Sequence, residues 1–301
     1  MQLFYTPDHA RVGDVIPYYE NGEFQLFYLK NWNPYFGSDR KKGWHLLTTK
    51  DCVHYNPEIA TGIVGGTGSV IKADGVYHLY YCIFESNPQR QYVCHATSTD
   101  LKSWTKYPEE TFGPDESIYL LTDWRDPHVI WNEEEKCWWM LLCAQSQGNT
   151  KRRGCVGLCK STDLHHWTCC APLYSPQSSM SAYECPDIFY MNGWWYLVFS
   201  QFTDRFQTLY RMSHSCKGPW IRPKTDSFDG RAFYAAKPAV TENIDTFLDG
   251  IRQEHKIHGT LILTQTMKDT IIKHMTGVEV WFHMKFMQEK MEHWQFGQIR
   301  H

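Results

Sequence analysis

The sequence predicts an all-β protein, a five-bladed β-propeller, and three observations carry this prediction. One short pattern occurs four times, its copies start 53 to 61 residues apart, and almost no segment has the apolar spacing of a helix. Four short strands repeated at such a period are typical of propeller blades. The alternative fold is a β-sandwich in which the repeats are coincidental.

Each copy of the pattern begins with an apolar strand after a turn and ends in a Ser/Thr-containing segment that closes on an aromatic residue. The strands start at Gly22, Gly75, Lys136 and Gly193, and the closing residues are Tyr55, Trp104, Trp167 and Trp220. Loops of successive blades converge on the central channel of a propeller. Residues far apart in sequence can therefore meet in one pocket there.

Composition and charge narrow the functional class. Hydrophobic residues make up 42% and charged residues 21% of the chain, which is globular composition, and the net charge is -3. Without a basic surface or an apolar run of about 18 residues, neither nucleic acid nor a membrane is expected as a partner. The aromatic content of 16% leaves two interpretations open, a β-rich core and a site whose rings stack on sugars.

The cysteine and histidine positions predict neither disulfides nor metal ligation. The 11 cysteines are odd in number, and several, such as Cys82 and Cys143, lie in apolar strand-like runs. We expect buried thiols in a reducing compartment and, with no visible signal peptide, a cytoplasmic protein. His45, His95 and His165 lack metal-ligand spacing, so we expect no metal, and no motif implies another cofactor.

Three carboxylates occupy the same kind of place in three different blades. Asp14, Asp126 and Glu184 each lie in a segment that leads into an apolar hairpin. Hydrolysis of a glycosidic bond needs one carboxylate as nucleophile or base and one carboxylic acid to protonate the leaving oxygen. A third carboxylate can stabilise the charge that develops on the ring. A single Asp in a turn usually caps local amides, but three at equivalent positions indicate a glycosidase site.

Several motifs resemble those of glycoside hydrolase family 32. Arg125-Asp126-Pro127 resembles the RDP motif of that family, and Glu184-Cys185-Pro186-Asp187 resembles its EC motif. Thr67-Gly68-Ser69-Val70 resembles its FSGSA segment, and Trp44-His45-Leu46 resembles its first-blade strand. The resemblance covers about residues 1 to 237.

The resemblance implies a retaining glycosidase that cleaves terminal β-fructofuranosides, with a small carbohydrate as its substrate. Asp14 would be the nucleophile, Glu184 the acid/base, and Asp126 the residue that holds the fructose hydroxyls. The residues expected to bind substrate are Arg125, Trp44, Ser69, Trp124 and Cys185.

One segment departs from the family pattern, and two other functional classes stay open. The usual nucleophile motif is Asn-Asp-Pro-Asn-Gly, whereas this chain has Gly13-Asp14-Val15-Ile16-Pro17. The enzyme alternative is an inverting family-43-like arabinofuranosidase or xylosidase. The other alternative is a sugar-binding propeller without catalytic turnover.

The chain changes character after Lys237. All 11 cysteines and 11 of the 13 tryptophans lie at or before Trp220, and the hairpin pattern stops after FYAAK. We therefore expect a catalytic propeller over residues 1–237, with most of the fifth blade and a C-terminal β-sandwich lost. Residues 238–301 are then either a non-native tail or an irregular or helical extension.

Back-translation favours a frameshifted tail. Family members would continue with a strand much like DGKHRYLFGWNPTR. Codons that join the last base of one residue to the first two of the next permit this sequence from Thr241 to Glu254. The same shift permits a Gly-Gly-Ser-Leu-Val-Pro-His-Glu run from Gly277 to Lys285, which is close to the GGNLVVHE of such relatives.

Overall fold

The computed structural model describes residues 5, 7, 10, 12–31, 43–87, 89–203, 206–227 and 233–240, and the backbone of 245–251 and 261–263. In these residues, 18 strands form five antiparallel sheets in chain order. The first sheet contains β1 (Val12–Glu20), β2 (Glu23–Lys30), β3 (Gly43–Thr49) and β4 (Ile59–Ala60). The second contains β5 (Gly68–Ala73), β6 (Val76–Ser86), β7 (Gln89–Ser98) and β8 (Thr105–Lys106).

The remaining sheets follow the same up-and-down order. The third contains β9 (Tyr119–Asn132), β10 (Cys137–Ser146), β11 (Gly154–Ser161) and β12 (Thr168–Tyr174). The fourth contains β13 (Tyr183–Met191), β14 (Trp194–Gln201) and β15 (Gln207–Ser213). The fifth contains β16 (Phe233–Val240), β17 (Asp245–Ile251) and β18 (Leu261–Leu263). A 3₁₀ turn, Pro108–Glu110, follows β8.

These sheets are the blades of a β-propeller, as the repeats predict. The first strand of each sheet contacts the first strand of the next, and β16 of the fifth sheet lies against β1, so the ring closes. The sheets pack face to face, and a central strand such as β10 is therefore apolar along most of its length. The large side chains between neighbouring sheets include Phe27, Trp44 and Leu79, then Tyr80, Trp124 and Met140, then Trp139, Leu197 and Phe199.

A β-bulge interrupts the first strand of four of the five sheets. Two residues of the first strand face one residue of the second at Gly13-Asp14, Asp126-Pro127, Cys185-Pro186 and Ala235-Ala236. In the last three, the first bulge residue has a positive φ, 56° at Asp126, 48° at Cys185 and 61° at Ala235. A bulge bends the strand and re-aims its side chains. Only the first strand of the second sheet, β5, pairs without interruption in the described residues.

A repeated turn follows the third strand of the second and third blades, at the end of the blade opposite to the carboxylates. We call it the Ser-Asp turn (residues 98–103 and 161–166). Ser161 Oγ accepts hydrogen bonds from the N–H groups of Asp163 and Leu164 at 3.1 and 2.9 Å. Asp163 Oδ1 then accepts from the two N–H groups that follow. Ser98 and Asp100 form the same bonds in the second blade. Such turns let a short polar side chain satisfy the backbone donors of a tight reversal.

The fifth sheet extends beyond the point where the sequence predicts its loss. Strand β16 runs on to Val240, and the backbones of β17 and β18 pair antiparallel beside it. The TFL and LIL runs in those strands contain residue types that favour β-structure. The expected C-terminal β-sandwich and the remainder of the tail lie outside the described residues. Within the described part of the chain, no helix has the length and apolarity to cross a membrane.

Candidate active site

The three carboxylates predicted from the sequence meet beside one residue, Cys185. The backbone N–H of Cys185 donates to Asp126 Oδ2 at 2.9 Å. Its thiol lies 3.7 Å from the same oxygen and 3.8 Å from Asp14 Oδ2. Glu184 immediately precedes it. Asp14, Asp126 and Glu184 come from three different sheets, and the bulges in β1, β9 and β13 bring them to one place.

Arg125 links the third and fourth blades at this site. Its Nη2 donates to Glu184 Oε1 at 2.6 Å, and its Nη1 donates to Asp123 Oδ1 at 2.6 Å and to Gln91 at 3.3 Å. Its Nε is 3.9 Å from Asp126 Oδ2. A guanidinium presents several donors in a rigid fork, so one side chain can hold two carboxylates in fixed positions. Arg125 thus fixes the position of Glu184.

Tyr234 of the fifth blade approaches Glu184 from the other side. Its hydroxyl donates to Glu184 Oε2. Burial and the neighbouring charge of Glu184 raise the pKa of Tyr234, so the phenol stays protonated as a donor. Arg125, Glu184 and Tyr234 each precede the first residue of a bulge, and together they form one line of hydrogen bonds across three blades.

The carboxyl group of Asp14 has a pKa that is raised towards neutral pH. Burial, together with the negative charges of Asp126 and Glu184, raises the pKa of Asp14 to about 6. The hydroxyl of Thr67 donates to Asp14 Oδ2 and opposes this rise, as does the charge of Lys237. Burial also raises the pKa of Asp126, against the opposing charge of Arg125. Both aspartates therefore lie in a poorly solvated pocket.

A buried ion pair supports the site from the fifth blade. Lys237 is 2% exposed, and its Nζ lies 3.9 Å from Asp187 Oδ2. His128 Nδ1 is 3.1 Å from the same oxygen. Burial and the charge of Lys237 depress the pKa of His128, so its imidazole is neutral. The positive charge of Lys237 consequently acts on Asp14 and Asp126 without a direct contact.

The five residues predicted to bind substrate divide into two groups. Arg125 and Cys185 lie among the carboxylates. Trp44 is buried and donates from Nε1 to the carbonyl of Gly66 at 3.0 Å. The remaining two side chains, Ser69 and Trp124, are buried as well.

The contacts of Ser69 and Trp124 join the second and third blades. Ser69 Oγ accepts from the N–H of Val129 at 3.1 Å. The Trp124 ring packs 5.0 Å from the Tyr119 ring, and its backbone N–H donates to Gln91 at 2.8 Å. Trp44, Ser69 and Trp124 therefore pack in the interior of the blades in this structure.

Sequence reasoning missed four residues of the site. None of them belongs to the repeated carboxylate pattern, yet each contacts a residue of the site or alters the pKa of one of its carboxyl groups. They are Thr67, Asp123, Tyr234 and Lys237. Asp123 lies two residues before the Arg125-Asp126-Pro127 motif and Thr67 lies within the Thr67-Gly68-Ser69-Val70 segment, so closer inspection of both motifs could have found them. Tyr234 and Lys237 needed the ring closure that places the fifth blade beside the fourth, which no local pattern in the sequence reveals.

A propeller that gathers two aspartates and a glutamate at its innermost strands has the residue types of a glycosidase. The profile described as glycosyl hydrolases family 32 N-terminal domain matches residues 15–259. The chain belongs to this family. The match includes Asp126, Glu184, Arg125 and Tyr234, begins one residue after Asp14, and extends past Lys237.

The match to each of the similar proteins covers only part of that protein's length. The levanbiose-producing levanase of Bacillus subtilis (strain 168) is 27% identical over 259 residues, which are 77% of this chain and 44% of that protein. The levanbiose-producing levanase of Geobacillus stearothermophilus is 26% identical over 242 residues, 73% of this chain and 55% of that protein. The chain therefore spans about half the length of these relatives.

Solved structures confirm the fold. The sucrose-6-phosphate hydrolase from Lactobacillus gasseri superposes with a TM-score of 0.68 at 19% identity, covering 84% of this chain and 58% of that one. The Bombyx mori GH32 beta-fructofuranosidase BmSUC1 gives a TM-score of 0.66 at 19% identity, covering 84% and 61%.

Proposed function

We propose that this chain is the catalytic propeller of a retaining glycosidase that hydrolyses terminal β-fructofuranosides such as sucrose, sucrose 6-phosphate or fructans. The observation that carries the proposal is the meeting of Asp14, Asp126 and Glu184, from three blades, around Cys185. The names of the similar proteins, levanase and sucrose-6-phosphate hydrolase, support the fructoside class.

The proposed reaction has two steps, and in each step one bond to the anomeric carbon breaks while another forms. Asp14 attacks the anomeric carbon while the bond to the leaving oxygen breaks, and Glu184 gives that oxygen a proton. Glu184 then takes a proton from a water molecule, which displaces Asp14 and releases fructose. Asp126 accepts hydrogen bonds from ring hydroxyls, which strengthen as positive charge develops on the sugar.

The surroundings of the carboxylates suit these roles. Asp14 must be ionised to act as a nucleophile, and its pKa of about 6 leaves it ionised at neutral pH. Arg125 and Tyr234 each donate a hydrogen bond to a different oxygen of Glu184, which orients the carboxyl group towards the leaving oxygen. Val15 and Ile16, which stand where the family motif has Pro and Asn, are buried. Sugar contacts from this strand are therefore reduced to Asp14.

The experiment that tests the proposal is fructose release from sucrose, sucrose 6-phosphate and short fructans. The full chain and a version with the reading frame restored after Lys237 are assayed beside Asp14→Asn and Glu184→Gln. Both substitutions should lower kcat by a factor of roughly 1,000 or more. Asp74→Asn, on an exposed hairpin, is the matched control and should retain full activity. Turnover that survives Asp14→Asn would refute the nucleophile assignment.

The anomeric form of the first product separates the enzymatic alternatives. A retaining reaction releases β-fructofuranose, and an inverting family-43-like reaction would release the opposite anomer. Time-resolved NMR of fresh product distinguishes the two before mutarotation. Binding of fructosides by the frame-restored protein with no release of fructose would favour a sugar-binding propeller.

We also propose that residues from about Pro238 onward are encoded out of frame. The support is the shifted-frame agreement from Thr241 to Glu254 and again from Gly277 to Lys285. Resequencing the gene and its transcript should reveal a one- or two-base difference near the codon of Lys237. An uninterrupted frame in independent reads would contradict the proposal and favour a genuine extension.

A cytoplasmic location completes the proposal. All 11 cysteines are free, and six of the buried ones lie in or between strands of the first three blades. Buried free thiols are typical of a reducing compartment. Cell fractionation with a C-terminal tag should recover the protein with cytoplasmic markers, and recovery from the medium would contradict this.

A further inference from the structure

Four side chains from two neighbouring blades meet at the end of the blades that is remote from the carboxylates. His78 lies on β6 and His95 on β7, Glu110 ends the 3₁₀ turn after β8, and His165 lies in the Ser-Asp turn of the third blade. His78 is three residues past the hairpin that joins β5 to β6. No residue of the candidate active site contacts this group.

Glu110 is held between two imidazoles. Its Oε2 is 2.6 Å from His95 Nδ1, and its Oε1 is 2.8 Å from His165 Nδ1. One nitrogen from each histidine and one carboxylate oxygen all lie within 4.8 Å of one another. The side chain of His95 is 3% exposed, that of Glu110 18% and that of His165 37%. The group is thus anchored in the interior and open to solvent on one side.

The His95 ring is fixed in orientation by its other neighbours. Its Nε2 lies 3.0 Å from His78 Nδ1, and the rings of Tyr80 and Tyr107 stack on it at centroid distances of 4.6 and 5.3 Å. A histidine that binds a metal through one nitrogen usually engages a polar partner through the other, which sets its tautomer. His78 is such a partner for His95.

We propose that His95, Glu110 and His165 form a binding site for Zn²⁺ that joins the second blade to the third. Two imidazole nitrogens and one carboxylate oxygen are a ligand set that zinc accepts, and the solvent-facing side leaves a fourth position for water. The ion takes the place of the hydrogen atoms between Glu110 and the two Nδ1 atoms, and a neutral imidazole that binds it through Nδ1 carries its proton on Nε2.

Linear spacing in the sequence gives no sign of this site. The ligands are separated by 15 and 55 residues, and one of them comes from another blade. The repeat explains the placement, because the Ser-Asp turn of the third blade lies against the third strand of the second, where the rings of His165 and His95 are 5.2 Å apart. In the second blade, the equivalent turn has Lys102 where the third has His165.

Isothermal titration of the full chain with ZnCl₂, beside MgCl₂, tests the proposal. We expect one zinc ion bound at micromolar concentration, no magnesium binding, and a melting temperature raised by several degrees. His165→Gln and Glu110→Gln should each weaken this event at least tenfold. His166→Gln is the matched control, since its ring is exposed and contacts Asp163 within its own turn.

Cobalt substitution provides a readout that does not depend on heat or stability. Co²⁺ should give visible absorption bands of a four- or five-coordinate site in the full chain and in His166→Gln, but not in His165→Gln. Histidines after residue 250 can bind zinc on their own, and such binding would persist in His165→Gln. Equal zinc affinity and equal cobalt spectra in both variants would overturn the proposal.

Discussion

At one end of the blades, Leu101 and Leu164 hold a positive φ inside the Ser-Asp turns, and at the other end Asp126 and Cys185 hold one inside the bulges. The turns repeat nearly the same residues, and their hydrogen bonds stay within six residues of chain. The bulges share only their backbone pairing, and their side chains differ from one blade to the next. The same unfavourable conformation therefore serves chain reversal at one end and a shared pocket at the other.

The largest effect that distinguishes the two ends is expected for Arg125→Lys. A lysine supplies a single charged centre and cannot hold Asp123 and Glu184 together. We expect kcat/KM for sucrose to fall roughly 100-fold, as for loss of about 3 kcal/mol of oriented charge-assisted hydrogen bonding. Arg152→Lys, on an exposed loop, should change nothing. Equal activity of the two variants would show that Arg125 does not position the acid.

The next largest effect is on folding stability, which the ionisation of buried Asp14 lowers. The pKa of Asp14 is raised from 3.8 to about 6, so the folded state binds this proton more tightly than the unfolded state does. Native stability therefore falls as pH rises from about 4 to about 6. Asp14→Asn should remove this loss and raise the free energy of unfolding by about 3 kcal/mol at pH 7.5.

Urea unfolding at two pH values checks this prediction. The gain from Asp14→Asn should be present at pH 7.5 and nearly absent at pH 4. Asp74→Asn is the control, because Asp74 is exposed and asparagine tolerates its positive φ. A gain of the same size at both pH values would rule out the ionisation of Asp14 as its cause.

A smaller effect is expected at the turn end. Ser161→Ala removes the acceptor of two backbone N–H groups and should cost about 1 kcal/mol of folding stability. The equivalent Ser98→Ala should cost a similar amount, whereas the exposed Ser103→Ala should cost nothing measurable. None of the three should alter kcat. A fall in kcat for Ser161→Ala at full folding would mean that the two ends are coupled.

The smallest effect is a shift in the pH profile. The Thr67 hydroxyl stabilises ionised Asp14, so Thr67→Val should raise the pKa of Asp14 further, by roughly half a unit. The acid limb of kcat/KM, expected near pH 6, should move to higher pH, with activity lost below it. Thr67→Ser should keep the limb in place. An unchanged limb in Thr67→Val would exclude Asp14 as the group responsible for it.

The sequence was sufficient for the fold and the carboxylates, because both are expressed in local repeats. The period predicted the propeller, and the position before each hairpin singled out Asp14, Asp126 and Glu184. Burial of Trp44 and Trp124 could not be read from motifs, since a tryptophan beside a motif serves a pocket or a core equally well. The contact of Tyr234 with Glu184 depends on ring closure, which is a property of the whole chain.

The line of hydrogen bonds from Arg125 through Glu184 to Tyr234 has a consequence for biosynthesis. The chain is made from its N-terminus, so the strand that carries Asp14 emerges from the ribosome first. Tyr234 emerges more than 200 residues later, yet it completes the surroundings of Glu184. A nascent chain therefore carries all three carboxylates before it can align them, and the site is assembled only when the fifth blade docks beside the first.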